Sequence, residues 1–137
     1  MIDSKLNKNY LASILKEVKT IAVVGASSNP ERDSHKVMEF LINYGFDVYP
    51  VNPNEANNII LGRKCFSNLN EIKEKIDMVD VFRAKEYVLD ITKEAIGLNA
   101  DILWTQEGIV DEQSAVLAND AGLKVVMDKC PKKILEY

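Results

Sequence analysis

The chain has 137 residues, 47% hydrophobic and 28% charged, with a formal net charge of −4 and a pI near 5.1. That length suits one domain with its own core, expected to span residues 1–137, and the acidic balance excludes the basic field that would hold nucleic acid. A membrane role is excluded too, since the runs Ile21–Val24 and Ile59–Leu61 fall far short of the roughly 20 residues of a span.

In chain order, Leu6, Tyr10, Leu11, Ile14, Leu15 and Val18 fall at helical spacing, which predicts an amphipathic lead-in helix from Asp3 to Val18, within residues 1–18. Thr20 to Val24 is an almost uninterrupted apolar run closed by Gly25, as expected of a strand buried on both faces. After the polar stretch Ala26 to Asp33, Ser34 is placed as the cap of a helix with Val37, Met38, Leu41 and Ile42 on one stripe, ending between Asn43 and Gly45. Phe46 to Val51 reads as a second strand, stopped by Asn52-Pro53, and Asn54 to Lys64 as loop. A short helix from Leu69 to Ile76 leads to a third strand, Met78 to Phe82. Helix Glu86 to Leu98, strand Ala100 to Trp104, helix Asp111 to Ala121 and strand Leu123 to Met127 complete the alternation. Strands separated by helices predict an α/β fold, a doubly wound Rossmann-like sheet of five parallel strands in the order 3-2-1-4-5.

In open sheets of this kind ligands bind beyond the carboxyl ends of the strands. The first end, Gly25-Ala26-Ser27-Ser28, joins a glycine and two hydroxyls to a following helix start. Its backbone N–H groups and the helix dipole suit a phosphate, with Arg32, Ser34 and Lys36 as added donors. A side chain at Gly25 would stand in the anion's path. The same residues also fit a plain tight turn with capping serines. The second and third glycines of a dinucleotide loop are missing, and Val51-Asn52-Pro53 offers no acid at the second strand end, with Glu55 two residues past the turn. Asn52, neutral and able to donate, would tolerate a ribose phosphate there. Phe82-Arg83 and Trp104-Thr105-Gln106 supply the third and fourth ends, and Arg83 fits either an anion or a structural ion pair.

His35, with Ser34 and Asp33 merely adjacent in sequence, makes no triad, so no catalytic residue is assigned. Cys130, beside Lys129, Lys132 and Lys133, fits a packed cysteine or a reactive thiol facing the crevice. Cys65 and Cys130 have no CxxC spacing, and with one histidine no metal set can be assembled. The N-terminus Met-Ile-Asp-Ser-Lys-Leu lacks an apolar secretory core, so a reduced, cytoplasmic protein is expected.

Taken together, Val23-Val24-Gly25-Ala26-Ser27, Ser34-His35-Lys36-Val37, Val51-Asn52-Pro53, Val79-Asp80-Val81-Phe82-Arg83, Trp104-Thr105-Gln106-Glu107-Gly108 and Met127-Asp128-Lys129-Cys130-Pro131 resemble the stand-alone CoA-binding protein family. The chain is also similar to the CoA-binding domain of the succinyl-CoA synthetase α subunit. The resemblance implies coenzyme A or an acyl-CoA across the carboxyl edge, its phosphates near Gly25 to Ser28 and its nucleotide end near Asn52-Pro53. The chain departs from the synthetase at Asn54 and Glu55, where a lysine follows the matching proline, and from the family at Lys129, where arginine is usual. The synthetase's phosphohistidine domain and ATP-binding partner subunit do not fit in this length, so the ligase reaction does not carry over. The alternatives are an NAD(P)-dependent oxidoreductase and a nucleotide-sensing regulatory or interaction domain. A protein partner is left open.

Overall fold

The computed structural model describes residues 7–136. The predicted lead-in helix is present as α1, Lys8–Lys16, capped by the Asn7 side chain, which accepts from the Tyr10 N–H at 2.9 Å. The part of that prediction from Asp3 to Leu6 lies outside the described residues.

Five parallel strands form the main sheet among the described residues: β1 (Thr20–Val24), β2 (Asp47–Val51), β5 (Met78–Val81), β6 (Ile102–Thr105) and β7 (Lys124–Val126). Between β2 and β5 a two-stranded hairpin, β3 (Ile59–Ile60) and β4 (Arg63–Lys64), turns on Leu61 and Gly62, both at positive φ. The sequence predicts only loop here, because two-residue strands carry no period to detect.

The inner strands β1, β5 and β6 are buried along almost their whole length because both faces of the sheet are covered. Ile21 and Val23 join α1, α2 (Asp33–Tyr44) and the terminal α5 (Pro131–Leu135) in one apolar layer. Ala22 and Val24 join α3 (Lys85–Gly97) and α4 (Glu112–Asp120) in the other. Among the described residues no helix is long and apolar enough to cross a membrane.

The strand order is β2-β1-β5-β6-β7, which corrects the expected 3-2-1-4-5. The predicted third strand, now β5, lies beside β1 rather than outside β2: Ile21 is opposite Met78 and Val24 opposite Val81. The outer edge of β2 is already taken. Phe66 pairs in parallel with Val51 as an isolated bridge, donating its N–H to Pro50 O and accepting from the Asn52 N–H, both at 2.9 Å. This one-residue strand holds the place of the outermost strand, so the chain crosses over β1 to begin β5. The order therefore reverses between β1 and β5, and a cleft opens at such a point.

Two helix predictions change. Leu69 to Ile76 forms only the 3-10 turn Leu69–Glu71, after which Ile72 is extended. The Glu71 carboxylate folds back on the Ser67 N–H (3.0 Å) and hydroxyl (2.8 Å), closing one turn in a segment too short to propagate a helix. Helix α2 starts at Asp33 with Arg32 as its cap residue and no side-chain cap, so Ser34 lies inside the first turn and is buried.

Candidate functional site

The strand ends converge on a cleft of about 710 Å³ at the switch point. Of the residues singled out from sequence, Gly25, Ser27, Arg32, Ser34, Asn52, Phe82, Arg83 and Gln106 line it. The others do not. Ala26, Val51, Trp104 and Thr105 are buried in the core, while Ser28, Pro53 and Lys36 are exposed outside the lining. For Val51, Trp104 and Thr105 the reason is strand geometry: side chains in a sheet covered on both faces point into one layer or the other, not along the strand toward its end. Trp104 donates its indole N–H to Lys129 O at 2.9 Å, and the Thr105 hydroxyl donates to Ile109 O at 2.6 Å.

The first loop is organised differently from a phosphate loop built on its glycine. The Gly25 and Ala26 N–H groups both donate to Val51 O, at 2.8 and 3.3 Å. The Ser28 N–H donates to Glu55 and the Asn29 N–H to the Ser27 hydroxyl. The Ser27 N–H and the first-turn N–H groups of Asp33 and Ser34 are left with no protein acceptor among the described residues. The donor set for an anion is thus centred on the start of α2. Gly25, at φ +95°, lines the cleft beside it, and a Cβ there would meet Phe82 O at 3.0 Å and Arg83 Cδ at 3.2 Å. His35 holds the loop, with Nδ1 2.8 Å from the Ser27 carbonyl, so that nitrogen carries the proton.

Asn52 is also spent internally. Its amide donates to Ala26 O at 2.8 Å and its oxygen accepts from the Asn54 N–H at 2.9 Å, tying the end of β2 to the end of β1. The Asn52→Asp substitution would set a carboxylate oxygen against the Ala26 carbonyl. A stability loss of about 1–3 kcal/mol is expected with or without ligand, measured by urea unfolding.

Two guanidiniums, Arg32 and Arg83, line the cleft and form no ion pair among the described residues. Arg83 lies over the Tyr87 ring, 4.1 Å from its centroid, in a cation–π contact. Gln106 is 8% exposed, and its side-chain oxygen has no hydrogen-bond partner among the described residues. A buried acceptor left empty on a cleft wall is a place for a ligand's N–H or O–H. Sequence reasoning missed Glu31, Asp33, Asn54, Glu55, Glu107 and Ile109 as lining residues. Glu107 is already engaged by Lys133 at 2.9 Å. Cys130 packs in the apolar layer at 7% exposure and does not line the cleft.

Several known proteins share the sequence pattern and fold of this chain. A family profile described as a CoA binding domain matches residues 19–136. The Bacillus subtilis (strain 168) protein YneT is 38% identical over 128 residues, covering 92% of each chain. The solved structure of a hypothetical protein from Pyrococcus horikoshii OT3 superposes with a TM-score of 0.91 at 37% identity, covering 98% of this chain and 93% of that one. The α subunit of the ADP-forming acetate–CoA ligase I of Pyrococcus furiosus is 32% identical over 80 residues, which is 56% of this chain and 17% of that subunit.

Proposed function

Because this chain belongs to the CoA binding domain family, we propose that it holds coenzyme A or an acyl-CoA in the cleft at the carboxyl edge of the sheet. The observation that carries the reading is the pair of guanidiniums free of ion pairs, Arg32 and Arg83, on the wall shared with the open N–H groups at the start of α2. A diphosphate is the ligand group that such a set of donors serves best. The nucleotide would then lie toward Asn52 and Asn54, and an amide N–H of the pantetheine arm would meet the empty oxygen of Gln106. The whole chain would act as one binding domain, and the proposal is of binding, with no bond made or broken.

Thermal unfolding tests it. A ligand that binds only the folded state adds about 2.7 kcal/mol at 100 times its dissociation constant. For a chain of this size the melting temperature should rise by several degrees. An unchanged melting curve at millimolar CoA removes the proposal. Gln106→Leu should weaken CoA by roughly 1–2 kcal/mol, one hydrogen bond to a buried acceptor, in titration calorimetry.

A further inference from the structure

Glu55 stands on the short turn Pro53–Glu55 after β2 and reaches back to the loop after β1. One carboxylate oxygen accepts from the Ser28 N–H at 2.9 Å and the Ser28 hydroxyl at 3.0 Å, and the other from the Asn58 amide at 3.1 Å. Donors from two separate segments therefore fix its position on the cleft wall. It forms no ion pair among the described residues, and no lysine or arginine lies between Asn52 and Asn58. The hydrogen bond from the Ser28 backbone, then that from Asn58, hold its pKa below the ordinary carboxylate range, so it is charged at neutral pH.

We infer that this end of the cleft selects an adenosine ribose with both hydroxyls free over one carrying a ribose phosphate, and that Glu55 makes the choice. The inference rests on the nucleotide reading above and names the ligand class within it. In open α/β sheets the region just past the second strand is where the ribose lies, and a carboxylate there accepts from its hydroxyls. Each carboxylate oxygen has two acceptor positions, and the one bonded to Asn58 keeps one open. A phosphate in the same place offers acceptors only, and its charge adds to that of a fixed carboxylate that forms no ion pair among the described residues. CoA still binds through its diphosphate and pantetheine arm, at lower affinity than the same molecule without its 3′-phosphate.

Two matched ligand pairs test this by titration calorimetry: dephospho-CoA against CoA, and NAD against NADP. Wild type should bind dephospho-CoA at least tenfold more tightly than CoA. In Glu55→Gln, which keeps the length and an acceptor for Ser28, the ratio should fall to threefold or less, chiefly through tighter CoA binding. Asn54→Lys, which leaves the Glu55 contacts in place and adds a cation, should narrow the ratio as well and serves if Glu55→Gln does not fold. CoA bound as tightly as dephospho-CoA, or a ratio unchanged in both variants, overturns the inference and leaves the CoA reading standing. NAD bound more tightly than either CoA form, with NADP at least tenfold weaker, overturns the CoA reading and upholds the selectivity. No binding of any of the four overturns both.

Discussion

Gly25→Val is expected to destabilise the fold by about 3–5 kcal/mol. Two costs combine. The residue sits at φ +95°, a conformation that costs an L-residue roughly 1–2 kcal/mol and a β-branched one more. Its new Cβ also meets the Phe82 carbonyl oxygen at 3.0 Å and carbon at 3.1 Å, backbone held in place because the Phe82 N–H is bonded to Val24 O at 2.8 Å. Overpacking against an element that cannot yield adds roughly 1–3 kcal/mol. Gly108→Ala is the control that separates the two: it shares the positive φ (+84°), but nothing lies within 4 Å of its Cβ. Urea unfolding of both variants should show Gly108→Ala losing only the backbone part. Equal losses would mean that the Phe82 contact relaxes freely.

Asp80→Val should act in the opposite direction. Asp80 lies in β5, fully buried, opposite Val23 on one side and Trp104 on the other. Neither carboxyl oxygen has a partner among the described residues, and burial drives its pKa well above the ordinary carboxylate range. Replacing an unsatisfied buried polar group with an apolar side chain of similar size recovers about 1–3 kcal/mol, a melting temperature higher by on the order of 5 °C. The sign with pH follows from the raised value. Below about pH 4 the carboxyl is protonated whether the chain is folded or not, and its titration costs nothing. As pH rises from there toward the folded-state pKa, only the unfolded chain releases the proton, so stability falls. Wild type should therefore lose stability over that range relative to Asp80→Val, whose difference from wild type widens with pH. A valine variant that melts lower than wild type at neutral pH would show that the carboxyl is held by a partner.

The alternation of strands and helices was legible because each long strand is an apolar run and each long helix has one buried stripe, from Ile21–Val24 to Val88, Ile91 and Ala95. The strand order was not. It turns on Phe66, a single bridged residue, and a strand of one residue has no pattern to read. The candidate site divides the same way. Gly25, Asn52, Arg83 and Gln106 follow from the rule that ligands meet strand ends, and the structure brings them to one cleft. Trp104 and Thr105 share that position in sequence, yet their side chains are turned into the layers. Glu55, two residues past the Asn52-Pro53 turn, is a poor substitute for a strand-end acid when distance is counted along the chain. The turn at Pro53 folds it back onto Ser28, and no local signal announces a contact 27 positions away.

Trp104 is the one tryptophan in the chain, and it is fully buried between the sheet and its helices. Its indole N–H is held by the Lys129 carbonyl just beyond β7 rather than by solvent. Its emission is therefore an intrinsic optical gauge of the packed interior, shifting to longer wavelength when water reaches the ring. Because the ring packs in the layer beneath the cleft and does not line it, that signal reports the unfolding of the core. Denaturation with and without ligand can then be compared on unlabelled protein, against the same baseline.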